Sequence, residues 1–269
     1  YSTILTSQDL NNTSGWVSGN DVTVNATHLT NATGELLANN QLTLTTQNYT
    51  HQGTIQGNNG TTLNLSGDFT NQGTLSSSGS LGIHTDGNIT NTSGSTMSSG
   101  NTLSLSGQNI NNQANATIKA THTQLSANDT ILNDGTIDGS LTELRAGNQI
   151  INNHKIYGGD FEGNGGVLIG TNHLINNENA EIASRSQMNI GAHNITNNLN
   201  GLIQTQGDLN IGRDLGTQAQ NYAVTGMADS LTNNSAIIEV GGNALWGVAE
   251  TINKNTQFLV QAEGQINTQ

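Results

Sequence analysis

Apolar and polar residues alternate in short stretches that return about every twenty residues along the chain. A clear unit contains Leu63–Leu65, then Phe69–Asn71, then Leu75. Alternate side chains of an extended strand share one face, so the two leucines of Leu63–Leu65 are predicted to point the same way. No stretch sustains the spacing of an amphipathic helix. The pattern therefore predicts short strands separated by turns.

Further copies of this unit share three positions along most of the chain. The first is a strand pair: Val22/Val24, Leu42/Leu44, Leu81/Ile83, Leu103/Leu105, Leu125/Ala127, Leu144/Ala146, Val167/Ile169, Met188/Ile190, Leu209/Ile211 and, unpaired, Leu245. The second is a larger apolar residue: Leu29, Tyr49, Ile89, Ile110, Ile131, Ile150, Leu174, Ile195, Leu231 and Ile252. The third is an asparagine two positions later: Asn31, Asn91, Asn112, Asn133, Asn152, Asn176, Asn197 and Asn233.

The fold predicted from these repeats is all-β: a right-handed parallel β-helix of about eleven coils. The unit is too short for a propeller blade and lacks the helix of a leucine-rich repeat. Stacked coils form ladders of equivalent residues, so Tyr49 and Phe69 are expected to stack. The recurrent asparagines tolerate left-handed turn geometry, and their amides are expected to bond to one another from coil to coil. Residues 1–269 are interpreted as one β-helix domain, an excised part of a longer protein.

Two segments interrupt the repeat. The Gly-rich run Asp160–Gly166 is interpreted as a slack turn at the edge of the solenoid. The larger break is an insertion at residues 212–230, where the step from Ile211 to Leu231 greatly exceeds the usual four or five positions. One interpretation is a hairpin that packs on the helix. The alternative is a binding loop, because loops on rigid scaffolds often carry function. The candidate interaction residues are Arg213, Asp214, Tyr222 and Met227.

Composition narrows the function classes. The chain has no Pro and no Cys, is 9% charged and carries a net charge of −13. Proline would break interior strands, so its absence suits a solenoid. A nucleic-acid partner needs a basic stripe, which is missing, and no apolar run is long enough for membrane insertion. The lack of cysteine is compatible with passage through an oxidising periplasm.

An enzymatic β-helix, such as a polysaccharide lyase or hydrolase, is the main rival interpretation. Its carboxylates would cluster on one face of adjacent coils. The densest charges here occupy different coil positions: Asp134, Asp138, Glu143, Arg145, His154, Lys155, Asp160 and Glu162. The seven histidines, His51 among them, lack metal-ligand spacing, and each is interpreted as a solvated or turn residue. The sequence thus predicts no catalytic site, no metal and no cofactor.

The repeat Leu-x-Leu…(Phe/Ile)-x-Asn-x-Gly-x-(Ile/Leu) resembles the haemagglutinin repeats of filamentous haemagglutinin-like exoproteins, and the resemblance covers nearly the whole chain. The segments Ile211–Leu215, Ala228–Asn233 and Ala236–Glu239 are similar to the late repeat region of contact-dependent growth inhibition effectors (CdiA-like proteins). No secretion domain or toxin-like terminus is recognisable in the chain.

The resemblance implies a two-partner secretion substrate that extends from the bacterial surface as a filament. It implies two partners: an outer-membrane transporter for the full-length protein, and a receptor on the target cell. The implied location is secreted and at the bacterial cell surface. On this basis the chain is expected to be a structural or adhesive filament segment that supports target-cell contact. A receptor- or glycan-binding module built on the 212–230 insertion is the alternative.

Overall fold

A computed structural model describes residues 1–159 and 166–256 of the chain. Its strands are parallel and stacked into a β-solenoid of about 12 turns, with 69% strand and 1% helix. The predicted parallel β-helix is therefore confirmed, and the coil number is close to the predicted one. The run predicted as a slack turn, Asp160–Gly166, lies outside the described residues except for Gly166.

Most strands are short because each coil turns several corners. The first fourteen are β1 (Ser2–Asn11), β2 (Trp16–Gly19), β3 (Asp21–Thr30), β4 (Glu35–Ala38), β5 (Gln41–Thr46), β6 (Tyr49–His51), β7 (Thr54–Gly57), β8 (Gly60–Leu65), β9 (Phe69–Asn71), β10 (Thr74–Ser77), β11 (Ser80–Thr85), β12 (Ile89–Asn91), β13 (Thr96–Ser99) and β14 (Thr102–Asn112). The others are β15 (Thr117–Asn133), β16 (Thr136–Ala146), β17 (Gln149–Asn152), β18 (Lys155–Gly158), β19 (Val167–Asn176), β20 (Glu181–Ser184), β21 (Met188–Asn198), β22 (Leu202–Thr205), β23 (Leu209–Gly212), β24 (Asp214–Leu215), β25 (Val224–Thr225), β26 (Ala228–Asn234), β27 (Ile237–Val240), β28 (Ala244–Trp246) and β29 (Val248–Lys254). One 3-10 turn spans Gln218–Gln220.

Each coil presents three faces, which the strands β8, β9 and β10 illustrate. Face A contains β8 and its register partners in other coils, face B contains β9, and face C contains β10. On face A, Leu63 pairs with Ile83 of the next coil. On face B, Phe69 pairs with Ile89. Because pairing is in register, most inward-facing apolar residues stack on an apolar residue of the next coil, although Leu81 lies above Thr61.

The core is a narrow column of these stacked apolar side chains. Leu63, Ile83, Leu105 and Leu125 are all fully buried along face A. Such stacking buries apolar surface that a single coil could not bury alone. The predicted stacking of Tyr49 on Phe69 is confirmed, with ring centroids 6.2 Å apart at an angle of 36°. Burial raises the pKa of Tyr49.

A row of asparagines, buried as far as Asn197, follows the corner between faces B and C and is called the asparagine ladder. Its members are Asn12, Asn31, Asn71, Asn91, Asn112, Asn133, Asn152, Asn176, Asn197, Asn233 and Asn253, and it includes every asparagine predicted from the repeat. Except at Asn31, which is followed by His51 one coil on, and at the last member, Asn253, the side-chain nitrogen of each donates to the side-chain oxygen of the asparagine one coil on, at 2.7–3.0 Å. The predicted amide bonding between coils is confirmed.

The same nitrogen also donates to a backbone carbonyl on face C of the next coil. Asn91, for example, donates to Thr117 O at 3.1 Å, and Asn133 donates to Lys155 O at 3.0 Å. Both protons of the buried amide thus find acceptors outside their own coil. The ladder therefore ties each coil to the next at two points.

The left-handed geometry expected at the recurrent asparagines lies elsewhere. No ladder asparagine has a positive φ. Positive φ values instead occur two or three positions later, at Ser14, Thr33, Gly94, Asn115, Asn179, Asn200 and Ser235. The ladder asparagines therefore keep negative φ values, and the left-handed residues belong to the tight turn that follows each of them.

Candidate functional site

The insertion forms a hairpin on the outside of face A. Strand β24 pairs antiparallel with β25, so that Asp214 faces Thr225 and Leu215 faces Val224. The tip turns through Gln218–Gln220 and then through two residues with positive φ, Asn221 and Tyr222. The chain rejoins the solenoid at β26, which pairs with β21. The insertion therefore leaves the stacking of the coils intact.

Three glycines make room for the hairpin against the rod. Gly170, Gly191 and Gly212 occupy one register position in successive coils of face A. A Cβ added at Gly191 would lie 2.2 Å from the backbone nitrogen of Leu215. At Gly170 the added Cβ would be 3.4 Å from Leu215 Cβ. A side chain at Gly191 would push the hairpin away, one at Gly212 would crowd Val224, and Gly170 lies in ordinary contact distance of the hairpin, so the three glycines define its docking strip.

Arg145 fastens the hairpin to the rod. Its Nη1 donates to Leu215 O at 3.1 Å and its Nη2 donates to Gly216 O at 2.6 Å. Its Nε donates to Glu143 Oε1 at 2.7 Å. Glu143 and Arg145 are two residues apart on β16, so their side chains share the outer side of face A. The arginine therefore bridges a carboxylate on the rod to two carbonyls of the hairpin.

The carboxylate that orients Arg145 is itself covered. Glu143 is only 4% exposed. Burial opposes its ionisation, but hydrogen bonds from His122, Arg145 and Gln124, together with the Arg145 charge, outweigh burial and lower the pKa of Glu143. His122 Nε2 lies 3.7 Å from Glu143 Oε2. The Glu143–Arg145 pair is thus ionised at neutral pH and available to hold the hairpin.

A second anchor lies nearer the hairpin tip. Asn189 Nδ2 donates to Tyr222 O at 2.9 Å, and Asn210 Nδ2 donates to Asn189 Oδ1 at 2.8 Å. Burial and the nearby Glu143 charge raise the pKa of Tyr222, and the Arg145 charge partly offsets them. The hairpin is therefore fixed at both its base and its tip.

A cleft of about 250 Å³ lies between the rod and the first hairpin strand. Its rod wall includes Arg145, Gly191 and His193, and its hairpin wall includes Arg213 and Asp214. Arg213 Nε donates to His193 Nε2 at 3.3 Å. The cleft therefore brings charged and polar groups from two separate parts of the chain together.

The four residues predicted from the insertion have different positions. Arg213 and Asp214 line the cleft. Tyr222 lies at the hairpin tip, where its carbonyl accepts the Asn189 bond. Met227 is 57% exposed and is not part of the cleft lining.

The rod side of the site does not follow from the repeat alone. Glu143 and Arg145 belong to the charges expected at different coil positions, although their spacing of two on a strand places them on one face. A further signal is the dipeptide Ile-Gly, which recurs at Ile169-Gly170, Ile190-Gly191 and Ile211-Gly212. Glycine at one outward position in three consecutive coils indicates that another part of the backbone approaches there.

Other polar groups of the rod form smaller pairs. Lys155 Nζ lies 3.2 Å from Glu181 Oε2, and its ammonium lies 5.7 Å from the centroid of the Tyr157 ring. Within residues 1–159 and 166–256, no group of three or more His, Asp or Glu side chains is arranged to hold a metal ion. In the same ranges, no helix has the length and apolar character needed to cross a membrane.

The chain matches no protein-family model, no curated protein and no solved structure. The fold and the site together define a class of molecule: a parallel β-solenoid rod with one inserted hairpin docked on its side. The architecture fits a filamentous structural or adhesive segment.

Proposed function

We propose that the chain is a stalk segment of a secreted bacterial surface exoprotein, of the contact-dependent growth inhibition type. The observation that carries the proposal is the asparagine ladder, which keeps one register from Asn12 to Asn253. A solenoid whose coils contact only their neighbours becomes longer with each added coil, so it spans a large distance with few residues. That is the physical requirement for a filament that reaches another cell.

Secretion through an outer-membrane transporter of the two-partner type suits this chain. It has no cysteine to oxidise, and each coil can add to the one before it as the chain emerges. Burial of each new coil would favour forward movement. A buried charge should interrupt that process, because an unpaired carboxylate in an apolar core is strongly unfavourable.

Leu105→Asp in the full-length protein of the producing bacterium tests the stalk proposal. Antibody labelling of intact cells is expected to detect the wild-type chain at the surface and to lose most of the signal for this variant. Ser106→Asp is the matched control, because the neighbouring side chain faces outward, and it should be exported normally. Wild-type chain labelled only after cell lysis, or normal export of Leu105→Asp, would count against the proposal.

The docked hairpin favours a second candidate function, a binding module on the side of the rod. The supporting observation is the cleft between Arg213 and His193, where the hairpin and the rod bring polar side chains together. Deletion of residues 213–227 should abolish binding to target cells and leave the circular dichroism of the rod unchanged. Unaltered binding would reject this candidate.

A further inference from the structure

Two of the chain's few basic side chains border the same cleft. The sequence has six Lys and Arg against nineteen Asp and Glu. Arg145 and Arg213 both line the cleft, with His193 between the rod and the hairpin. In a molecule with a net charge of −13, most of the surface repels anions. The two arginines therefore distinguish this cleft from most of the surface as a site where an anionic group can bind.

The two arginines have different roles. Arg145 donates from Nε, Nη1 and Nη2 to Glu143 and to the carbonyls of Leu215 and Gly216, so it serves the hairpin. Arg213 is exposed, and within residues 1–159 and 166–256 its side chain donates only from Nε, to His193. Across residues 1–159 and 166–256, no carboxylate lies within ion-pair distance of Arg213. Its two Nη groups are thus available, and a guanidinium fork matches a carboxylate in a bidentate manner.

Neighbouring groups add hydrogen bonds suited to hydroxyls. Because His193 Nε2 accepts from Arg213 Nε, the other ring nitrogen, Nδ1, is left as a second donor. Asp214 supplies an acceptor. The remaining walls include Gly147, Gly170 and Asn172, with little apolar surface to anchor a peptide side chain. The volume of the cleft, about 250 Å³, has room for one small polar molecule.

We propose that the cleft binds a carboxylated sugar, with Arg213 holding the carboxylate and His193 and Asp214 holding ring hydroxyls. The proposal rests on the binding-module function of the hairpin and names its ligand class. The geometry favours a glycan over a peptide, because the walls combine hydrogen-bonding groups with glycine backbone.

Titration of the isotopically labelled chain with D-glucuronate, followed by NMR of the Arg213 Nε–H and the Gly191 amide, tests the proposal. D-glucose is the uncharged probe of the same ring size. Arg213→Gln is expected to weaken glucuronate binding about tenfold or more, since a hydrogen bond to a charged group is involved. Arg185→Gln removes an equal charge from an exposed residue that is not part of the cleft lining, and it should bind within about twofold of wild type.

Three outcomes would overturn the sugar assignment. One is equal weakening by Arg213→Gln and Arg185→Gln, and another is glucose binding as tightly as glucuronate. The third is tighter binding of a tripeptide with a free terminal carboxylate, which would indicate a peptide ligand. If deletion of 213–227 abolishes target-cell binding while glucuronate fails to titrate, only the ligand class is wrong. If the deletion leaves cell binding intact, the binding-module function itself is wrong.

Discussion

A buried asparagine stabilises a protein only when both halves of its amide are bonded. In this chain the ladder asparagines from Asn91 to Asn233 meet that condition through their neighbours. Asn112 donates to Asn133 Oδ1 at 2.8 Å and to Thr136 O at 3.2 Å, and it accepts from Asn91 at 2.9 Å. The ladder thus replaces apolar packing with directional bonds at one corner of every coil.

Two adjacent asparagines allow a direct test of the ladder. Asn112→Leu should lower the free energy of unfolding by about 2–3 kcal/mol, because it leaves the Asn91 amide and the Thr136 carbonyl without their buried partner. Asn111→Leu is the control: its Oδ1 is buried without a hydrogen-bond partner, and its register neighbour is Leu132. It should change stability by less than about 0.5 kcal/mol or stabilise the rod. Urea unfolding measures both, and equal losses would contradict the ladder's role.

His51 occupies the ladder position between Asn31 and Asn71. It is fully buried, pairs in register with Asn71, and its Nε2 lies 3.1 Å from Thr74 O. Burial lowers the pKa of His51, and the hydrogen bond to Thr74 only partly offsets this. The folded state therefore favours the neutral imidazole. The stability that depends on neutral His51 is present above the unfolded pKa of about 6.5 and is lost as the pH falls below it.

His51→Asn should complete the ladder and remove this acid sensitivity. Wild type is expected to lose thermal stability between about pH 6.5 and 5 relative to the variant, while the two differ little in pH dependence above about pH 7. Differential scanning calorimetry across this range measures the difference in melting temperature between wild type and His51→Asn. A difference that stays constant at all pH values would show that the protonation of His51 is not coupled to unfolding.

At the scale of single elements, the hairpin depends on the absence of side chains beneath it. Gly191→Ala places a methyl group where the Leu215 backbone now lies. The hairpin should separate from the rod and expose the bond after Arg213, whose backbone amide donates to Thr225 O at 3.0 Å in the docked state. Trypsin should cut there about tenfold faster, which corresponds to about 1.4 kcal/mol of lost docking.

Gly73→Ala provides the control for Gly191→Ala. No atom lies within 4 Å of a Cβ added at Gly73. Cleavage at Arg213 should therefore proceed at the wild-type rate in this variant. An unchanged rate in Gly191→Ala would mean that the glycine strip does not determine docking.

Sequence and structure agree best where one rule repeats. The strands of face A, the Tyr49–Phe69 stack and the ladder asparagines all follow from period-two alternation and in-register stacking. The rod side of the site did not follow, because Arg145 contacts Leu215 and Gly216 about seventy residues away. Repeat spacing predicts contacts between neighbouring coils, and the hairpin crosses several coils at once. The interpretation of His51 as a solvated or turn residue is wrong, because its side chain is buried inside the ladder.

At the scale of the whole molecule, the coils are interchangeable units held in one register. Leu103 is the register partner of Leu81, and Asn112 is the partner of Asn91. Removing residues 81–102 therefore removes one coil and lets Leu103 take the place of Leu81 above Thr61. Removing residues 81–91 instead deletes the face A and face B strands of one coil. Two face C strands, β10 and β13, then follow each other directly along the chain.

Unfolding in urea, monitored by far-ultraviolet circular dichroism, compares these two deletions directly. The chain without residues 81–102 is expected to keep the β signal and a transition close to that of wild type, because every remaining strand finds an equivalent partner. The chain without residues 81–91 should lose a large part of the signal or unfold at clearly lower urea. Equal stability of the two deletions, or collapse of the full-coil deletion, would contradict a solenoid of stacked, interchangeable coils.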